Sequence, residues 1–304
     1  MKIAVIFTGG TIGSCIKNDF IGVDNKMQYV LLKNYENDSE IEFITSSPYS
    51  ILSENLSARE LNLLQSEIAE KLTQDFDGII VTHGSDTLQY TSTAVEMAFG
   101  DCQLPVIFVS ADYPLEDSRS NGFANFQGAV EFIRKKISNG VFVSYKNDDE
   151  KITNIHIPSK ILMHSELNAN IYSIDKIPFA QYDGKFTVNG IYSCNGNGIT
   201  NYSEDSQILV VSSTPADSYS YFLENVKAIL FKPYHSATLN TSNEKLVNFC
   251  KMATERQIPM YVLGAKSKTG YESTRIYKEL NIQPLPYGTF ISAYMKLWAE
   301  LSGI

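Results

Sequence analysis

The chain has little of what marks the specialised protein classes. Among 304 residues there are four cysteines, Cys15, Cys102, Cys194 and Cys250. They form no Cys-x-x-Cys pair and keep no metal-ligand spacing from His83, His156, His164 or His235. That excludes a disulfide framework and leaves no metal site to read; the thiols are expected to be reduced and structural. No apolar run approaches the roughly 20 residues of a membrane span. Met1-Lys2-Ile3 enters an apolar stretch directly, without the charged start, longer apolar core and small-residue cleavage site of a signal peptide, so the expected location is the cytoplasm. Positive charge is scarce: 25 Lys and Arg against 34 Asp and Glu leave a net charge of −9, which argues against a nucleic-acid partner. Internal repeats and low-complexity tracts are missing as well. The 43% of apolar residues is ordinary globular composition, and the length suffices for two domains.

What is there is an alternation of short apolar strands with amphipathic helices, the pattern of an α/β fold. Strands are expected at 2–7, 41–45, 78–82, 105–109 and 140–144. A helix starts near Ser57, where Ser57 and Glu60 read as a capping box, and Leu61, Leu64, Ile68 and Leu72 follow at helical spacing. Further helices are expected from the His83-Gly84 turn to about 99 and over 122–137. The region 150–192 reads as extended segments with a hairpin turn at Asp183-Gly184. A stretch rich in Asn, Gly and Ser, 189–206, reads as a linker. After it come strands at 208–212, 228–232 and 259–263 and helices at 242–256, 271–280 and 289–302. The expected organisation is therefore a larger N-terminal α/β domain, 1–188, with a mixed, mainly parallel sheet flanked by helices. The linker 189–206 and a smaller C-terminal α/β domain, 207–304, complete it.

Two segments put hydroxyl residues just past strand ends. The first strand runs into Thr8-Gly9-Gly10-Thr11-Ile12-Gly13, and the strand at 78–82 into His83-Gly84-Ser85-Asp86-Thr87. In an open parallel sheet such positions fall in the crevice at the carboxyl ends of the strands, where ligands bind. Gly9 and Gly10 allow a sharp turn and close backbone approach. No Gly-Lys-Ser/Thr follows, so the first segment is not a nucleotide P-loop. The second segment has two readings. Ser85 or Asp86 could be the N-cap of the helix that follows; alternatively the helix N-terminus faces a substrate carboxylate or an oxyanion.

Taken together, Thr8–Gly13 and the His83–Ser92 run about 70 residues on resemble the bacterial-type L-asparaginase/glutaminase family. Asp77-Gly78, Val81-Thr82, the stretch 105–111 and Ser120-Asn121-Gly122 with Asn125 continue the resemblance, which covers nearly the whole chain and is strongest over 3–130. It implies an amidohydrolase that converts L-asparagine to L-aspartate and ammonia with no metal or organic cofactor, and a homotetramer built as a dimer of dimers. Thr11 would be the attacking nucleophile. Ser85, where the family has threonine, would work with Asp86 and a lysine. Ser53 and Glu54 would bind the amino-acid substrate, although on their own they also read as a solvated loop. The segments near Ser85, Asp86 and Ala111 would surround the oxyanion. For the lysine, Lys160 is the nearest candidate, but counting back from Tyr172-Ser173 puts the position at Leu162, and Lys160 also reads as a surface residue.

The chain departs from the family at the loop after the nucleophile. The residues 12–28 contain no tyrosine; Phe20 stands near the expected place without a hydroxyl, and Tyr29 is the first candidate. Tyr234-His235-Ser236-Ala237-Thr238 is a further possible contact region. Two alternatives therefore accompany the asparaginase reading. One is a weakly active or inactive amino-acid-binding relative on the same fold. The other is the asparaginase-like subunit of a tRNA-dependent amidotransferase, suggested by Ser53–Leu56 and opposed by the acidic charge and the early first motif.

Overall fold

A computed structural model describes residues 1–24, 26–264, 270–286 and 288–303. The chain divides into two compact units, Met1–Thr200 and Asn201–Ile304.

The first unit contains strands β1 (Lys2–Phe7), β2 (Ser14–Lys17), β3 (Phe20–Val23), β4 (Glu42–Ser46), β5 (Gly78–Thr82), β6 (Pro105–Val109), β7 (Gly140–Tyr145), β8 (Thr153–His156), β9 (Ala180–Tyr182) and β10 (Phe186–Val188). Its helices are α1 (Val30–Lys33), α2 (Ala58–Leu72), α3 (Leu88–Phe99) and α4 (Gly122–Arg134). Eight strands form one sheet in the order β10-β9-β8-β7-β6-β5-β1-β4, and β2 and β3 pair separately as a hairpin. The run from β4 to β7 is parallel; β8, β9 and β10 are antiparallel additions.

The apolar strands are buried on both faces, as continuous hydrophobic runs in a parallel sheet require. Ile3, Val5, Phe7, Ile80 and Ile107 point to one side and pack with Phe126 and Phe132 of α4. The intervening Ala4, Ile6, Ile79, Val81, Val106 and Phe108 point to the other and pack with Leu64 and Ile68 of α2 and Leu88 and Val95 of α3. This is the mixed α/β architecture expected.

The strand order fixes where a ligand can bind. From β1 the chain first adds β4 on one side, then returns to add β5 and β6 on the other. The order reverses between β1 and β5, and at such a switch point the loops leaving the two strands diverge and open a crevice beyond their carboxyl ends. The two motifs found in the sequence follow β1 and β5.

The second unit holds β11 (Ile208–Ser212), β12 (Ala228–Lys232), β13 (Met260–Val262) and β14 (Ile282–Pro284), all parallel and in chain order, with α5 (Glu244–Glu255) and α6 (Phe290–Leu301). Val211, Ile229, Phe231, Leu246, Phe249 and Met260 form its core.

Several local expectations change. Ser57 does precede α2, but its hydroxyl bonds the Glu60 carboxylate side chain to side chain and caps no backbone N–H. The helix expected at 271–280 is a short 3-10 turn, Glu272–Tyr277. Of the segment 189–206, the part up to Thr200 belongs to the first unit: Tyr192 accepts from Val141 N through its hydroxyl (3.2 Å), and Thr200 exchanges hydrogen bonds with Gln65. Among the described residues no helix is long and apolar enough to cross a membrane.

Candidate active site

The loop after β1 is shaped by its glycines. Gly9 and Gly10 take positive φ, 97° and 75°. Gly10 N donates to Ile51 O (2.8 Å) and Ile51 N to Thr8 O (3.1 Å), carrying the β1–β4 pairing past the strand ends. Thr8 Oγ1 donates to Thr82 O (2.7 Å) and ties the same loop to β5. Thr11 then opens a single 3-10 turn, Thr11–Gly13, half-buried at the crevice.

The loop after β5 comes to meet it. A Cβ at Gly10 would stand 2.2 Å from Gly84 Cα, and a Cβ at Gly84 would stand 2.4 Å from Ser53 Oγ. Three segments thus converge at the switch point with no space between them. Since consecutive Cα atoms are about 3.8 Å apart, the Cα atoms of Thr11 and Ser85 lie within roughly 11 Å of each other.

The helix-cap reading of Ser85 and Asp86 does not hold. The N-cap of α3 is Thr87, and no side chain caps the helix. Thr87 Oγ1 donates instead to Ser53 O (2.9 Å), fixing the Ser53 turn to the motif. Among the described residues the hydroxyls of Thr11 and Ser85 and the carboxylate of Asp86 enter no hydrogen bond or ion pair. Ser85 is half-buried and Asp86 exposed. Polar groups left uncommitted at the N-terminal end of a helix, above a switch point, are available to a ligand.

His83 is buried behind this surface. Its Nδ1 lies 2.8 Å from Gly84 O, which can only accept, so Nδ1 carries the proton. Burial pushes its pKa down to about 4, and near neutrality the ring is uncharged. His83 therefore supports the turn without adding charge.

The neighbouring strand ends are stapled by two asparagines. Asn125 Nδ2 donates to Ser110 O (2.8 Å) and Asn125 Oδ1 accepts from Lys146 N (2.7 Å). Asn121 Nδ2 donates to Lys146 O (2.7 Å), while its Oδ1 accepts from Asp112 N (3.1 Å). Ala111, fully buried between them, is held at the carboxyl end of β6, one strand over from Ser85.

The remaining sequence-predicted residues separate. Ser53 is buried against Gly84, within the converging group, whereas Glu54 is exposed on the same short turn. Lys160 is placed elsewhere: it is exposed on a 3-10 turn whose Ser159 N donates to Glu96 Oε2 (2.7 Å), and its charge acts on Glu96. Glu96 lies eight residues beyond Leu88, about 12 Å along α3 from its first residue at 1.5 Å per residue. Lys160 therefore neighbours the later part of α3, and among the described residues no ion pair joins it to Asp86.

The loop after Thr11 is the β2–β3 hairpin, turned by Asn18 and Asp19 at φ 51° and 64°. Phe20 follows the turn and is 78% exposed, with no hydroxyl to offer. Tyr29 packs edge-on against Phe7, ring centroids 5.0 Å apart. The turn 234–238 belongs to the second unit, where Tyr234 N donates to Thr238 O (3.1 Å) and His235 is exposed. Burial pushes the thiols of Cys102 and Cys194 up to about 11 and that of Cys250 up to about 12, so these three are poor nucleophiles. Among the described residues no three His, Cys, Asp or Glu side chains converge as a metal site requires.

A family profile described as Asparaginase, N-terminal matches residues 2–188. The chain belongs to the asparaginase family. A glutamyl-tRNA(Gln) amidotransferase subunit from Thermoplasma acidophilum is 29% identical over 191 residues, 60% of this chain and 45% of that protein. The L-asparaginase of Thermococcus kodakarensis is 28% identical over 150 residues, 48% of this chain and 44% of that protein. The matches span less than half the length of these curated relatives. Among solved structures, the thermostable L-asparaginase from Thermococcus kodakarensis superposes with a TM-score of 0.83 over 100% of this chain and 94% of that chain, at 22% identity. An L-asparaginase I from Vibrio cholerae gives 0.79 over 99% and 93%, at 20% identity. At these identities the likeness is one of fold.

Two features of the site were not anticipated. Thr87 could have been found, since it sits inside the second motif and a threonine there has a neighbour to bond. The approach of His164 to the Ser85 loop has no local signal, because 79 residues separate them.

Proposed function

We propose that the protein is an L-asparaginase that works through a threonine acyl-enzyme. The observation that carries this reading is the backbone contact of Gly10 with Gly84, which brings Thr11 and the Ser85–Asp86 pair to one switch-point crevice with their side chains uncommitted. Thr11 Oγ attacks the side-chain amide carbon of L-asparagine. The hydroxyl proton passes to the departing nitrogen, which leaves as ammonia, and an ester to Thr11 remains. Water then attacks the ester, releasing L-aspartate and returning the proton to Thr11. Ser85 and Asp86 move protons and hold the substrate ammonium, with Ser53 on the substrate carboxylate. Backbone groups near Ser85 and Ala111 surround the oxyanion, the arrangement that contributes most in acyl transfer. The same reading carries a cytoplasmic location and a homotetramer, the latter measurable by light scattering of the purified protein.

The test is ammonia release from L-asparagine by the purified protein and by Thr11→Ala. Loss of at least about a thousandfold in kcat is expected, in line with removal of a nucleophile; full activity in Thr11→Ala sinks the mechanism.

Two observations favour other readings. The hairpin after Thr11 lacks a tyrosine, and a threonine hydroxyl is a weak nucleophile without a partner that polarises it; heat of L-aspartate binding without ammonia release would mark an amino-acid-binding relative. The amidotransferase subunits among the relatives favour a role in a tRNA-dependent assembly. The net charge of −9 weighs against direct tRNA binding, and co-purification with tRNA or a second subunit would support it.

A further inference from the structure

The loop between Ile161 and Ser173 leaves and re-enters through one antiparallel bridge, closed by Leu162 N donating to Tyr172 O (2.9 Å). Its return arm is fixed from the end of β7: Asn147, buried, donates through Nδ2 to Ile171 O (3.1 Å) and accepts from Ile171 N through Oδ1 (2.8 Å). Asn170 Oδ1 accepts from Asp148 N (3.0 Å). A loop anchored at both ends is a frame for what it carries, and it carries His164, half-buried over the second motif. His164 Nε2 lies 3.1 Å from Ser85 O and Nδ1 lies 3.2 Å from Asn170 O. Both facing atoms are carbonyl oxygens, which only accept. The ring therefore makes both bonds with a proton on each nitrogen, and one of them in its neutral form.

We propose that His164 is a positioning residue of the candidate site: it clamps the Ser85 carbonyl to the anchored 161–173 loop and so fixes the Ser85 hydroxyl and the Asp86 carboxylate over the crevice. Among the described residues the Ser85 carbonyl otherwise accepts only a 3.3 Å bond from Leu88 N, and Ser85 and Asp86 have no other side-chain tether. His164 touches the loop and not the reacting atoms. Its effect on turnover rests on the amidohydrolase reading; the clamp itself does not.

Two measurements separate these cases. Hydrogen exchange across 83–90 is compared in the wild type, His164→Ala and His164→Gln. His164→Ala is expected to exchange ~10-fold faster there, the scale of one lost hydrogen bond, with exchange in β5 and α4 unchanged. His164→Gln, which keeps an N–H donor, is expected to recover most of the protection. Unchanged exchange across 83–90 in folded His164→Ala overturns the clamp, whatever the enzyme does. If the wild type releases ammonia from L-asparagine, kcat per folded molecule is expected to fall ~10- to 100-fold in His164→Ala, more than KM rises, and to recover in His164→Gln. A fall in Tm with kcat per folded molecule intact makes His164 merely structural and overturns the positioning role. If the wild type is inactive, the hydrolase reading fails while hydrogen exchange still decides the clamp.

Discussion

Gly10 and Gly84 meet backbone to backbone, with 2.2 Å between a Cβ built on the first and the Cα of the second. Neither loop yields there, because each is tied at its own strand end: Gly10 N to Ile51 O and His83 N to Val109 O. Gly10→Ala meets this contact and also a positive φ of 75°. With ψ at −178° this is the extended positive-φ region that essentially only glycine adopts, which costs an alanine about 1–3 kcal/mol, and the overlap adds another ~1–3 kcal/mol. Thermal or urea unfolding of Gly10→Ala is expected to show a loss of about 3 kcal/mol, together with loss of activity. Gly22, in β3, has nothing within 4 Å of its Cβ position, and Gly22→Ala in the same assay should stay within about 0.5 kcal/mol. Equal stability of the two variants would contradict the packed contact.

Thr87 holds Ser53 through a single hydrogen bond to its carbonyl, 2.9 Å. Thr87→Val keeps the shape and removes the donor. A cost of about 1 kcal/mol in stability is expected. In the proposed reaction Ser53 binds substrate and moves no proton, so the kinetic effect should fall on KM, by several-fold, with kcat changed less. An unchanged KM would remove Ser53 from the substrate site.

Much of this was legible in the sequence because it is local. The apolar runs that become β1, β5, β6 and β7 are buried on both faces and carry no periodic ambiguity, and the glycine turns and hydroxyls beside them are written in consecutive residues. What was not legible depends on register over long separations. Lys160 stands near the right place in sequence, but β8 and the 3-10 turn after it set Ser159 against Glu96, so the side chain follows the far part of α3. The hairpin β2–β3 was hidden because Ile16, Phe20 and Ile21 are exposed apolar residues, without the alternation that signals a half-buried strand. Ser85 looked like a cap because a hydroxyl before a helix usually is one; only the position of Thr87 at the N-cap shows otherwise.

The placement of Lys160 has a direct kinetic consequence. Lys160→Met is expected to leave kcat and KM for L-asparagine within about twofold of the wild type, since the side chain is exposed, acts on Glu96 and makes no ion pair with Asp86 among the described residues. A loss of tenfold or more in kcat without unfolding would return Lys160 to the proton-transfer machinery and would require the 158–164 segment to shift toward the crevice.

Buried titratable groups set opposing pH dependences of stability. Burial holds His83 and His156 down at about 4 against an ordinary value near 6.5. The unfolded chain therefore takes up these protons first as pH falls. Their contribution is fully present above pH 6.5 and is lost between about 6.5 and 4, by up to about 3 kcal/mol for each group. Glu96 runs the other way. Burial raises it to about 7, against the bond from Ser159 N and the charge of Lys160, so its proton is held more tightly in the folded state and stability falls as pH rises from about 4.5 to 7. Glu96→Gln removes that cost while keeping an oxygen to accept from Ser159 N. In urea unfolding at pH 5 and pH 8, the stability of Glu96→Gln relative to the wild type is expected to improve by about 1–3 kcal/mol at the higher pH. His156→Gln is expected to improve in the opposite direction, relative to the wild type, on going from pH 7 to pH 5. A parallel pH response in all three proteins would mean that neither Glu96 nor His156 titrates away from its ordinary range.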